Sequence, residues 1–357
     1  MNEKEFDDLL KVEETELHDD KELRKKLNRQ LNAHIFKRSL ITLIVIVLVV
    51  AASLFGISKT MDHMYYNPNE KNTFTKDMTD FDFLMYIYTS LYYPELEYLP
   101  VSDDQHESFG FGHYMHYGKI FDKTKTLYWD NKYNVAFDFK RSKVTQKEFD
   151  EDTKYVIHGN QFIDLKHRPK DYEYRNITDE MREEIASLPE SARIEVSISF
   201  PRKSLEEVVA FMNTYNDSDY YWIAMARNDL AKEDYRYSYT PCGISLTHYT
   251  YPQLNEATKK AYPKYQELNR DGDDRYSAKE LEDSYKTSLE ILANQSEFVD
   301  MMYLDVESKL EDVKKNGVEA MGIFADMSKK DMVQFMQEHP EYSVFISDVS
   351  LSKYVNK

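Results

Sequence analysis

The chain has 357 residues, of which 41% are hydrophobic and 14% aromatic, enough to bury a core in one large or two ordinary folded units and to exclude wholesale disorder. With 46 basic against 64 acidic side chains the net charge is −18, which excludes a nucleic-acid binder built on a basic face. A lone cysteine, Cys242, excludes an intramolecular disulfide, so the fold must be held by its core.

At the N-terminus, Leu23, Leu27, Leu31 and Ile35 recur every four residues and form one helical stripe that runs toward the apolar segment following it. A tail of about 38 residues cannot build its own core. It buries this stripe, and Phe6, Leu9 and Leu10, only against a partner, against a second copy or at a lipid interface. Leu40 to Ile57 follows without a charge and at about 1.5 Å per residue just crosses a bilayer's hydrocarbon. Arg24, Lys25, Lys26, Arg29, Lys37 and Arg38 precede it, against Lys59 just after, which predicts a cytoplasmic N-terminus and an extracellular C-terminus in the cell membrane. Residues 1–38 hold 10 acidic and 9 basic side chains, so nearly all the negative charge lies beyond the span.

Beyond the span, the aromatic-dense run Asp80 to Tyr93 predicts a helix packed on a sheet. Segments near Glu107–Phe121, Thr126–Trp129 and Tyr133–Phe139 predict a small strand meander. His106, His113 and His116 invite a metal reading, but positions three apart in a strand face opposite sides, and no nearby acid or cysteine completes a set. Lys140 to Glu184 reads as a long charged surface connection ending in a short helix.

Arg193 to Phe200 alternates, with Ile194, Val196, Ile198 and Phe200 on one face, as in a strand with one buried side that Pro201 stops. Ser204 and Glu207 then form a capping box that opens a helix burying Leu205, Val208, Val209 and Met212, and Tyr220–Met225 returns as a strand. The pattern recurs at an offset of 124 residues: Phe200 with Phe324, Ser204 with Ser328, Val209 with Val333, Met212 with Met336. Two such βαβ units predict an α+β ectodomain with a ferredoxin-like sandwich, interrupted by a mostly helical insertion over residues 228–316. No Gly-rich phosphate loop, nucleophile elbow or clustered acid and base suggests an enzyme.

Within the insertion, Asn269, Asp271, Asp273, the Arg275 carbonyl, Ser277 and Glu280 fall on the ligand positions of an EF-hand loop, which makes calcium a candidate ligand. Asp274 stands where that loop needs glycine. The other reading is an acidic turn in which Ser277 caps the next helix with Glu280 as its capping-box partner. No cofactor is otherwise required.

The segments SLPESARIEVSISFPRKSLEEVVAFMNTYNDSDYYWIAMA (Ser187 to Ala226), LEILANQSEFVDMM (Leu289 to Met302) and VKKNGVEAMGIFADMSKKDMVQFM (Val313 to Met336) resemble the C-terminal region of the sigma factor regulator family. These are membrane-anchored anti-sigma factors of low-GC Gram-positive bacteria. The likeness covers roughly the last 170 residues of the chain and the general layout. It implies a tail (residues 1–38) that sequesters an extracytoplasmic-function sigma factor, a transmembrane helix (39–58), a membrane-proximal extracellular region (59–188) and a regulator C-terminal-like domain (189–357) that senses the envelope. A second membrane regulator, or self-association, is a further candidate partnership. The tail departs from the zinc-binding anti-sigma pattern, lacking His-x-x-x-Cys-x-x-Cys, so no residue of that pattern carries over. The rival reading is a calcium-dependent extracellular binding protein of the cell envelope with no transcriptional role.

Overall fold

A computed structural model describes residues 3–70, 73–101, 106–125, 132–148, 162–165, 176–228, 241–247, 252–265 and 276–351. The chain divides into two compact units, Met1–Asp62 and His63–Lys357.

The first unit is helical. Helix α1 (Glu3–Met64) runs unbroken through the tail and the apolar segment. Its stretch Leu31–Met64 is long and apolar enough to cross a membrane, and none of its apolar window is buried by protein. Thr42, Ser53 and Thr60 return their hydroxyls to the carbonyls of Arg38, Val49 and Gly56 at 2.8–2.9 Å. Each polar side chain is thereby satisfied within the helix, as hydrocarbon surroundings demand.

The second unit is a mixed α+β fold with two antiparallel five-stranded sheets. Helix α2 (Asp80–Tyr92) opens at Thr79, whose hydroxyl accepts the Asp82 N–H at 3.1 Å. Ten of its residues are buried, so it is enclosed rather than amphipathic. The first sheet follows: β1 (Leu96–Pro100), β2 (Glu107–Gly110), β3 (His113–Asp122), β4 (Lys132–Lys140) and β5 (Lys143–Glu148), ordered β1-β3-β4-β5 with β2 also on β3. The predicted strand at Thr126–Trp129 lies outside the described residues. The expected surface connection from Lys140 is corrected in two places. β5 pairs with β4 from Lys140↔Lys143 to Val135↔Glu148, and Phe162, Ile163 and Asp164 are buried, Asp164 against Arg202 at 2.6 Å. The connection does end in a helix, α3 (Asp179–Ser187).

The second sheet draws on β6 (Arg193–Lys203), β7 (Asp219–Met225), β8 (Cys242–Ser245), β9 (Ala320–Ser328) and β10 (Ser343–Ser350), in the order β10-β6-β9-β7-β8. Helix α4 (Leu205–Thr214) follows β6 and α9 (Lys329–Glu338) follows β9. Ser204 and Ser328 cap them alike, accepting the N–H groups of Glu207 and Asp331 at 3.3 and 3.1 Å. β6 and β7 both run antiparallel to β9 between them, so each repeat is a crossover from one strand to a parallel one. One expectation needs correction. β6 continues past Pro201, which sits where the β6–β9 register shifts between Ser199 and Lys203, a place where its missing N–H breaks no ladder bond. The described part of the insertion is mostly helical, as expected: between β7 and β9 lie α5 (Glu256–Ala261), α6 (Ala278–Ala293), α7 (Ser296–Met301) and α8 (Val306–Asn316), with the short buried strand β8 before them.

One hydrophobic core unites Phe81, Phe83 and Tyr98 with Ile194, Ile198, Leu289 and Phe335. Two polar contacts tie the second sheet to α2 and to the end of β3. The Trp222 indole on β7 donates to the Ser90 carbonyl of α2 at 2.9 Å, and Lys123, just past β3, donates to Ser245 on β8 at 2.7 Å. Burial pushes the Lys123 ammonium down to about 8, against the upward pull of Glu97, Glu95 and Asp122.

Gly118 on β3 lies directly under the Tyr98 ring, and a Cβ there would overlap the phenol. Gly118→Ala is therefore expected to cost about 1–3 kcal/mol through overpacking, read as a lowered urea midpoint of the purified chain, while Gly56→Ala, with open space around it, leaves that midpoint unchanged.

Candidate functional site

Three groups of residues carry candidate chemistry. On α1, the stripe Leu23, Leu27, Leu31 and Ile35 shares one continuous helix, with Leu31 59% and Ile35 56% exposed. The side chains of Leu23 and Leu27 lie outside the described residues. The stripe thus meets the apolar segment without a break in the helix.

Of the EF-hand-like set, Asn269, Asp271 and Asp273 lie outside the described residues. Ser277 and Glu280 are described, and they form the capping box of α6: Ser277 accepts the Glu280 N–H at 3.2 Å, while Glu280 accepts from the Ser277 backbone and hydroxyl at 2.9 and 2.8 Å. The carboxylate that would close a calcium cage is engaged in holding the helix start.

The third group was only half visible in the sequence. His113 and His116 do face opposite sides of β3: His113 pairs with Asp138 at 2.9 Å, and His116 points inward and is wholly buried. There His116 Nε2 meets Asp82 of α2 at 2.8 Å and its ring stacks on His106 at 3.9 Å and 11°. Asp82, His106 and His116 therefore form a cluster whose ligand-type atoms lie within 4.8 Å of one another. The expectation that no acid completes a histidine set is corrected: the acid comes from a helix 34 residues away. The signal available beforehand was Thr79 and Asp82 at capping spacing, which locates a helix start but not what packs on it.

Asp82 is saturated. Oδ1 accepts from His116 and from the Tyr98 hydroxyl at 2.7 Å, and Oδ2 accepts from the Thr79 hydroxyl at 2.7 Å. On its other side, His116 Nδ1 lies 2.9 Å from the Asn69 Oδ1. With Asn69 so oriented, both ring nitrogens face side-chain oxygens.

This geometry does not suit a shared metal ion. A metal takes an imidazole lone pair in the plane of the ring at about 2.0–2.1 Å, and two rings stacked nearly parallel do not share such a point. Both His116 nitrogens are engaged, and His106 Nδ1 accepts the Tyr117 N–H at 3.2 Å, which leaves the proton on Nε2 of the neutral ring. Nor can a substrate reach side chains 0–2% exposed. What the arrangement does is fasten α2 to β1 and β3 by charge-assisted hydrogen bonds.

Burial pushes the Asp82 carboxyl up, but hydrogen bonding to His116, its positive charge, and the Thr79 and Tyr98 hydroxyls together hold it below its ordinary 3.8. The unfolded chain therefore takes up this proton first as pH falls. The stabilisation is complete above the ordinary carboxylate range and is lost as pH drops through the native value. Asp82→Asn is expected to cost roughly 3–5 kcal/mol at neutral pH, the penalty for leaving a buried partner charge uncompensated. It also flattens the acid limb of stability against pH; an unchanged limb in denaturant titrations would count against the latch.

No family model, no curated protein and no solved structure matches this chain.

Proposed function

We propose that this chain is a single-pass membrane protein that regulates an extracytoplasmic-function sigma factor. The tail holds the sigma factor away from RNA polymerase, and the C-terminal unit responds to the envelope on the other side. The observation that carries the reading is the exposure of Leu31 and Ile35 on a helix that continues into the apolar segment. Large aliphatic side chains so exposed gain about 1.5–3 kcal/mol each when fully covered, and a helix laid into a partner's groove is the usual way to cover them. The cytoplasmic placement of the tail rests on the six cations before the apolar run against Lys59 after it.

The C-terminal unit is read as a ferredoxin-like sandwich with β8 added at one edge. The order β10-β6-β9-β7, the helices α4 and α9 and the matching serine caps support that form. We take this unit as a binding module, not a catalyst; fold alone assigns no activity. A second membrane regulator or a second copy of the chain is a further proposed partner.

The test is recovery of the detergent-solubilised full chain from membranes beside a Leu27→Asp, Leu31→Asp double variant. The native chain is expected to retain a sigma factor and the variant to lose it. Equal recovery by both, or no sigma factor with either, refutes the assignment.

A further inference from the structure

Among the described residues of the second unit, positive-φ backbone clusters at one tip of the first sheet. Gly110, Phe111 and Gly112 in the β2–β3 turn have φ of 77°, 57° and 69°, and Arg141 and Ser142 in the β4–β5 turn have 52° and 61°. A bulky residue such as Phe111 adopts this region at a cost that surrounding structure must over-determine. Here the two turns are locked to each other by the Arg141 N–H donating to the Gly112 carbonyl at 2.8 Å. Glycine is required at 112, since a Cβ would fall 2.5 Å from the Tyr65 ring.

What this holds outward is apolar and basic. Phe109 is 54% and Phe111 40% exposed, with Phe109 packed 4.7 Å from the His113 ring. Beside them Lys140, Arg141 and Lys143 are exposed. Lys140 pairs with the buried Asp138 at 3.0 Å, and Arg141 has no acidic partner among the described residues. The phenylalanines, His113, Lys140 and Arg141 border a shallow concavity of about 480 Å³. On a chain with a net charge of −18, a tip with three cations and two exposed phenylalanines is chemically out of character.

Its position in the chain indicates its counterpart. The tip is bound to the residues that follow the apolar segment: Gly112 packs on Tyr65, and the Tyr66 N–H donates to the Ser142 hydroxyl at 2.9 Å. Tyr65 comes eight residues after Ile57, and eight residues reach at most about 29 Å, so the chain tethers the tip to the neighbourhood of the bilayer surface. Aromatic and basic side chains tethered so near match the composition of a membrane interface, in which rings enter the headgroup boundary and cations meet anionic lipid.

We propose that the β2–β3 and β4–β5 turns form a second membrane contact, in which Phe109 and Phe111 enter the bilayer surface and Lys140, Arg141 and Lys143 bind anionic lipid headgroups. The inference rests on the membrane anchoring proposed above, and not on the sigma factor.

The full chain carrying Phe109→Cys, labelled with a nitroxide, is reconstituted into phosphatidylcholine vesicles with and without phosphatidylglycerol; the native Cys242 is buried. Flotation first tests anchoring: chains that fail to float overturn the anchored reading and this inference with it. In floated chains the label is expected to favour oxygen over a water-soluble nickel reagent several-fold more than a label at Glu206→Cys, and more so with phosphatidylglycerol. A label at 109 that matches the one at 206 overturns the contact and leaves anchoring intact. Reversal of charge by Arg141→Glu and Lys143→Glu is expected to remove the phosphatidylglycerol dependence; its survival overturns the assignment to anionic lipid.

Discussion

A helix enclosed on every side can carry a carboxylate only if both of its oxygens are hydrogen-bonded. α2 is such a helix and Asp82 such a carboxylate, at 1% exposure. Much of the second unit follows from meeting that requirement. Thr79 satisfies one oxygen and opens the helix, His116 and Tyr98 satisfy the other and fix β3 and β1 against it, and Gly118 leaves the room that Tyr98 needs. At the other end of the same helix the Ser90 carbonyl receives the Trp222 indole from the second sheet. One element therefore hydrogen-bonds to both sheets, and α2 and the first sheet share a core with the second sheet and its helices.

The second sheet shows how little a duplication has to specify. Each half needs an alternating strand, a serine cap, one apolar helical stripe and a return strand, and each finds them at the same spacing. Between the two halves, β8 extends the β7 edge and α6 packs against α2, α7 and α8. An edge strand covered in this way is not left as a template for pairing with another chain.

Local patterns were legible in the sequence, and long-range pairings were not. The strand at Ile194–Phe200, the caps at Ser204, Ser277 and Ser328, the aromatic helix from Asp80 and the apolar run all depend on neighbours within a few residues, and the structure has them; the single buried face expected of that strand is corrected, since Ser197 and Ser199 are buried too. β5 was missed because Lys143–Glu148 is a polar sheet-edge segment, and β8 because four wholly buried residues carry no period. Pro201 was read as a stop because the compensating register shift is a property of the partner strand. The histidine cluster failed as a prediction for the same reason: His116 could be placed on a face of β3, but the acid it faces belongs to α2. Leu31 and Ile35 could be read as a stripe, and the structure shows both exposed.

Both the regulatory reading and the lipid contact depend on one topological claim, that the chain crosses the membrane once with its tail inside. The direct measurement is labelling of intact cells with a membrane-impermeant maleimide, using full chains with a single added cysteine at Lys21 or at Glu206, both exposed. Labelling at 206 in intact cells, with labelling at 21 only after permeabilisation, is the expected result. Labelling at 21 in intact cells, or protection of both positions until the cells are opened, would contradict it.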